Sequence, residues 1–287
     1  MEPGLAFYQE TMNMTASKSL IQKITASNGG VFTGPGTNSY LIGTEDITLV
    51  DPGPKIDAHL SNLLKLGNNK IKRILVTHTH PDHSPGAKVL GDKLNVPLMG
   101  RLVAKDDSRQ DRTFKPDQIL SHGDTIKTSE YNIEVVHTPG HASNHLCYLV
   151  PEEATMLTGD HIMNGSTVVI AHPDGSMKEY LDSLALLKNY AFNRIAPGHG
   201  DFLGDPFAVV DWIIAHRLDR ERKVVTKLKL LSSCDSDTLV KEVYDDVDVR
   251  LHPIALWSLE AHLKKLADDQ VAEFDAANKT WSLNHNQ

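Results

Sequence analysis

Residues 74–86, ILVTHTHPDHSPG, place His78, His80, Asp82 and His83 within six positions at the end of an apolar run. A polar side chain buried without a partner is costly, so a chain that crowds four donors there must expose them or bind something with them. Imidazole nitrogen and carboxylate oxygen form the ligand set of zinc and similar divalent ions. Histidine is also unevenly spread: of fifteen in the chain, ten fall between His78 and His199.

One tetrahedral ion cannot readily use four donors from so short a loop, whereas two adjacent ions can if further ligands arrive from elsewhere. His141 in HTPGHAS, Asp160 in LTGDH and His199 in APGHGD each stand where an expected strand gives way to a turn. The spacing assigns three histidines to one ion, Asp82, His83 and another histidine to the second, and leaves Asp160 able to bridge. Such a set suits two ions about 3.5–4 Å apart with a water between them. His122, His137, His145, His161 and His172 complete no spacing and are expected in core, ligand-supporting or surface roles. His161, beside Asp160, is the best placed of them for a substrate or ligand-supporting contact.

The chain of 287 residues suits one large domain with a smaller one, and its 40% hydrophobic and 23% charged content is that of an ordinary globular protein. The start of the chain lacks a basic segment followed by a sustained apolar one, and no apolar run approaches the roughly 20 residues of a membrane helix. Secretion and membrane insertion are therefore not expected, and the expected location is the cytoplasm. Two cysteines, Cys147 and Cys234, are too few for a disulfide framework and are expected to be buried as small apolar groups. The net charge of −8 argues against general attraction to nucleic acid.

Strands and helices alternate irregularly up to Gly204. A hairpin is expected over 38–51 and strands in KRILVT, YNIEVVH, LCYLV and ATMLTGD; helices are expected over 56–67, from Ser84 to Leu94 and in MKEYLDSLALLKNY. From Asp205 the pattern turns helical. FAVVDWIIAHRLDRERKVVTKLKLL reads as one long helix with Ile214, Leu218, Val225 and Leu228 on a common stripe. DSDTLVKEVYDD opens on capping residues, PIALWSLEAHLKKLADD opens on Pro253, and QVAEFDAANKTWSL reads as a terminal hairpin. The expected division is a domain over 1–204 and a helical, winged-helix-like domain over 205–287, with Trp212 and Trp257 as core anchors.

The signature THTHPDH, followed in order by TPGH, TGD and PGHG, resembles the metallo-β-lactamase-fold hydrolases. GPGTNSYLIG, GDHIMNGSTVVI and AHRLDRE extend the likeness to the group around β-lactamase-like protein 2 within that superfamily. The resemblance implies an α+β class chain, an αββα sandwich with a dinuclear site at one edge and a C-terminal winged-helix module. It assigns His78, His80 and His141 to the first ion, Asp82, His83 and His199 to the second, and Asp160 to both.

The expected chemistry is hydrolysis by a water that two divalent ions ionise, with Asp82 orienting it as well as serving as a ligand. Zinc is the expected metal; iron and manganese suit the same donors. An ester, thioester or amide-type bond of a small or acyl-carrier-linked substrate is the first expectation, and single-strand RNA cleavage is the alternative. For RNA the useful feature is RLDRERKVVTKLK, where Arg217, Arg220, Arg222, Lys223, Lys227 and Lys229 stand against Asp219 and Glu221. A solvated helix face explains that run more simply, and 205–287 carries 11 basic against 15 acidic residues. A third possibility is a winged-helix interaction protein with a structural metal. The C-terminal module would cap the site or contact a second copy in a homo-oligomer.

Overall fold

The computed structural model describes residues 19–103 and 107–284, which group into two compact units. The first comprises the described residues up to Thr138, together with Asn144–Val168 and Asn189–Pro206; the second comprises Pro139–Ser143, Val169–Lys188 and the described residues from Phe207 onward.

The first unit holds two six-stranded sheets. One runs in chain order through β1 (Ile21–Thr25), β2 (Asn38–Ile42), β3 (Ile47–Val50), β4 (Ile71–Leu75), β5 (Leu98–Gly100) and β6 (Gln118–Ile119). The other runs from β7 (Thr125–Lys127) through β8 (Asn132–His137), β9 (Leu146–Val150), β10 (Thr155–Gly159) and β11 (Arg194–Pro197) to β12 (Leu203–Gly204). Tyr40, Ile42, Val50 and Leu75 of the first sheet pack with Ile133, Val135, Tyr148, Leu157 and Ala196 of the second. The opposite face of the first sheet is covered by α1 (Asp57–Gly67) and α2 (Pro85–Leu94) through Leu60, Leu63, Ala87 and Leu90.

The hairpin expected over 38–51 forms, with Tyr40 facing Val50 and Leu41 facing Leu49. Its strands are buried on both faces rather than one, because helices cover one side and the second sheet the other. Polar residues inside it are therefore paired: Asn38 Nδ2 donates to Pro197 O at 3.0 Å, and Tyr131 Oη donates to Thr48 Oγ1 at 2.8 Å.

The two sheets are also pinned at a turn. The Glu130 carboxylate accepts from Thr44 N at 2.8 Å, Thr44 Oγ1 at 2.5 Å, Glu45 N at 2.8 Å and Asp46 N at 2.6 Å. The Thr44 hydroxyl first, then the Asp46 amide, pull its carboxyl from the ordinary 4.5 down to about 2. A depressed carboxyl stabilises the fold above its unfolded value and loses that contribution as pH falls through the folded value. The melting temperature of wild type should therefore exceed that of Glu130→Gln by a few degrees at pH 6. The difference should close between pH 4.5 and pH 2. A pH-independent difference in paired thermal melts would show that the carboxylate charge plays no part.

The second unit contains α3 (Met177–Leu187), α4 (Pro206–Leu231), α5 (Ser236–Val243) and α6 (His252–Asp268). A three-stranded sheet, β13 (Ser233–Cys234), β15 (Thr280–Leu283) and β14 (Ala272–Asp275), completes it, so the terminal hairpin is present. Asp235 caps α5 by accepting from Thr238 N at 2.7 Å, and Pro253 stands in the first turn of α6. Both cysteines are buried. None of the helices formed by the described residues is long and apolar enough to cross a membrane.

The buried stripe of α4 differs from the expected one. Val210, Ile213, Arg217, Arg220, Val224 and Leu228 are buried, whereas Ile214, Leu218 and Val225 are only partly so. The two arginines enter because their charges are met: Arg217 lies over the Tyr180 ring at 5.5 Å and Arg220 over Tyr244 at 4.4 Å. Arg220 also grips Asp246 with bonds of 2.7 and 2.9 Å. Lys223 pairs with Asp245 and Asp246, and Lys227 with Glu242. Most of the basic run is thus neutralised locally.

Trp212 and Trp257 are not core anchors. They stay 38% and 40% exposed, because Trp212 lies off the buried stripe of α4 and Trp257 shares an outer stripe of α6 with Pro253, Glu260 and Lys264. Trp212 stacks instead on His216, one helical turn away, with ring centroids 5.2 Å apart.

Candidate metal centre

The site forms where strands of both sheets end at one edge of the first unit. After β4 the chain turns back before α2, with His83 N donating to His80 O at 3.0 Å. This turn gathers His78, His80, Asp82 and His83. Asp160 follows β10 directly, and His199 lies two residues beyond β11.

Six of the seven expected donors lie in the first unit. His83 Nε2 is 3.2 Å from Asp82 Oδ2 and 3.2 Å from Asp160 Oδ1; His199 Nε2 is 3.3 and 3.2 Å from the same two oxygens. His78, His83 and Asp160 each offer a ligand atom within 4.8 Å of the others, and so do Asp82, His83 and His199. His80 joins through its Nδ1, 3.0 Å from His78 Nε2. His141 falls in the second unit, where its Nδ1 donates to Val169 O at 2.7 Å and so leaves the lone pair on Nε2.

Three of these imidazoles are oriented from behind. His83 Nδ1 contacts Asp51 Oδ2 at 2.9 Å, His199 Nδ1 donates to Gly36 O at 3.1 Å, and His78 Nδ1 meets Thr77 Oγ1 at 3.1 Å. Asp51 in turn accepts from Thr77 N and Thr77 Oγ1, both at 2.7 Å. Thr37 Oγ1 donates to Asp82 Oδ2 at 2.9 Å and is itself held by Asn28. Gly198 provides room: a Cβ there would lie 2.5 Å from Asp160 Oδ1 and 2.9 Å from His83 Cε1.

Electrostatics within this group are strongly coupled. Burial works against charge on His199, yet Asp160 and Asp82 push its pKa up to about 10. His83 is raised in the same way, by Asp82 and Asp160, against its burial. Burial favours a neutral Asp160, but His199 and His83 hold it well below the usual carboxylate range; Asp82 is likewise held low by His83 and His199. Two carboxylates thus demand positive charge from their neighbours. A divalent cation held by these residues would meet the same demand in place of the imidazole protons. The fit is supported by His83 Nε2, fully buried and without a hydrogen bond of acceptable geometry, aimed between the two carboxylates.

Asp51, Thr37 and Gly198 escaped functional assignment in the sequence. Asp51 carried one signal, an acid between Val50 and Pro52 at the end of an apolar strand, and Gly198 reads as a turn residue until its neighbours are known. His161 is fully buried, with its amide donating to Thr158 O at 2.9 Å.

A family model described as the metallo-beta-lactamase superfamily matches residues 32–199, and one described as a beta-lactamase associated winged helix domain matches 236–281. The chain belongs to the metallo-beta-lactamase superfamily. It is accordingly a superfamily hydrolase, with the metallo-beta-lactamase fold followed by a C-terminal winged helix. The beta-lactamase-like protein 2 homolog of Drosophila melanogaster is 32% identical over 266 residues, spanning 88% of this chain and 89% of that protein. An atrochrysone carboxyl ACP thioesterase of Cryptosporiopsis is 27% identical, spanning 90% of this superfamily member and 84% of its own length. Among solved structures, a metallo-beta-lactamase family protein of Thermus thermophilus superposes with a TM-score of 0.77 at 17% identity, covering 92% of this chain and 99% of the other.

Proposed function

We propose that this chain is a dinuclear, zinc-dependent thioesterase that hydrolyses an acyl group from a carrier-linked or small thioester. The reading is carried by the two overlapping donor groups, His78, His83, Asp160 and Asp82, His83, His199. Relatives named as ACP thioesterases that match nine-tenths of the chain's length favour the thioester over other acyl bonds.

In this proposal His78, His80 and His141 would hold one cation and Asp82, His83 and His199 the other, with Asp160 available to both. Support for His141 comes from the chain itself. It is three residues from Thr138 and three from Asn144, both in the first unit, so it lies within about 10 Å of each. When bound, divalent cations supply Lewis acidity toward the acyl oxygen and lower the pKa of a water toward neutrality. The protein fixes where that chemistry happens. Asp82, steadied by Thr37, orients the attacking water by accepting a hydrogen bond, and Asp51 and Gly36 hold the His83 and His199 rings so that Nε2 faces inward. The division into 1–204 and 205–287, with catalysis confined to the first part, belongs to the same proposal.

The RNA alternative loses support in the second unit. Arg217 and Arg220 are buried, and Lys223 and Lys227 are paired with acids. Only a narrow stripe of α6, carrying Glu260, Lys264 and Asp268, is exposed, which is a poor surface for phosphates.

A panel of acyl thioesters, small esters, lactones, a chromogenic lactam and labelled single-stranded RNA, offered to protein reconstituted with zinc, iron or manganese, tests the proposal. Thioester turnover that dialysis against a chelator removes and metal restores is the expected result. RNA cleavage without thioester turnover would reject it.

A further inference from the structure

One buried imidazole outside the donor set touches three of the segments that carry donors. His145 Nε2 accepts from Asp160 N at 3.2 Å, and His145 Nδ1 lies 2.9 Å from Thr138 Oγ1. The His145 carbonyl accepts from Thr138 N at 2.9 Å, closing the base of the loop whose chain includes His141. Its ring also packs against that of His78, with centroids 5.1 Å apart. The residue is fully buried.

The hydrogen-bond directions are mutually determined. Because the Asp160 amide can only donate, Nε2 holds the lone pair and Nδ1 carries the proton, which goes to Thr138 Oγ1. Thr138 then turns its own hydrogen to Cys147 Sγ at 3.3 Å, and the Cys147 thiol points to Thr158 O at 3.8 Å. Burial pushes the Cys147 thiol up to about 12, so it remains a donor. The path begins at Asp160 and ends two residues before it.

We propose that His145 is a positioning residue: locked in its Nδ1–H form by Thr138, it fixes the Asp160 turn, the base of the His141 loop and the His78 ring together. The proposal rests on these residues being metal donors, as in the proposed function. The acceptor at Nε2 is what the Asp160 turn needs, and the bond to Thr138 aims it.

Glutamine and asparagine separate the two contacts, since the glutamine carbonyl reaches roughly where Nε2 lies and the asparagine amide only to the Nδ1 position. The test is the dissociation constant for zinc of the full chain, by competition with a chromophoric chelator, for wild type, His145→Gln, His145→Asn and His145→Leu. Folding is checked in parallel by circular dichroism. His145→Asn and His145→Leu should bind zinc about 10–100-fold more weakly, as losses of ligand-supporting groups do. His145→Gln should stay within about threefold of wild type, because the Asp160 amide keeps its acceptor. Should His145→Leu fail to fold, the Gln–Asn pair decides alone. Wild-type affinity in His145→Leu or His145→Asn, or equal weakening in Gln and Asn, would overturn the proposal. Zinc binding by wild type without thioester turnover would instead overturn the substrate assignment and leave this role intact.

Discussion

If the proposed thioester is the substrate, Asp82→Asn is expected to lower its kcat/KM by about 10³–10⁴-fold while the chain stays folded. Asp82 Oδ2 is shared between His83 Nε2 at 3.2 Å and His199 Nε2 at 3.3 Å, and it accepts from Thr37 Oγ1 at 2.9 Å. The amide retains one oxygen to accept from Thr37, so the turn keeps its anchor. What it loses is the negative charge that, in the proposed site, would hold a cation and orient a water. Steady-state kinetics at saturating metal, with elemental analysis of the same samples, separates two origins. Loss of rate with metal retained assigns the effect to orientation of water; loss of both assigns it to coordination. Activity within tenfold of wild type would remove Asp82 from the mechanism.

A larger effect on stability is expected at Asp51, which lies behind the His83 ring. It is 2% exposed and accepts from Thr77 N, Thr77 Oγ1 and His83 Nδ1. Asp51→Ala leaves those donors buried together. At about 1–3 kcal/mol for each unsatisfied donor, a loss of roughly 3–5 kcal/mol is expected. For a domain of this size that lowers the melting temperature by roughly 10 °C. Asp51→Asn probes the same contact differently. Its backbone is left-handed, with φ of 48°, which asparagine tolerates, and its oxygen can still serve Thr77. Its NH₂ group would donate to His83 Nδ1 and force the ring proton onto Nε2, the atom that faces Asp82 and Asp160. Metal affinity should then fall about 10–100-fold with much less loss of stability. Chemical denaturation and chelator competition on both variants check this; an alanine variant as stable as wild type would show that the Asp51 contacts carry little energy.

The parts of the site that were legible in the sequence are those where chemistry leaves a local mark. His78, His80, Asp82 and His83 fit one turn, and His141, Asp160 and His199 each follow a strand, so residue type and position were enough to nominate them. The supporting residues left no such mark. Asp51 resembles any acid before a proline, Thr37 any residue of a glycine-rich turn, and His145 was one of several histidines without a spacing. Their roles come from neighbours far along the chain, such as Asp82 for Thr37, 45 residues away, and Asp160 for His145, 15 residues away.

The same division runs through the fold. Helical period, strand length and the capping residues Asp235 and Pro253 are local properties, so the chain by itself determined where helices begin and which segments pair as hairpins. Which face of α4 is buried was decided only in three dimensions. Charge alone sends Arg217 and Arg220 to solvent, yet Tyr180, Tyr244 and Asp246 arrive from other elements and make their burial favourable, turning Trp212 outward. A side chain's own chemistry fixes what it can bind, and only the packed structure decides which partners come within reach.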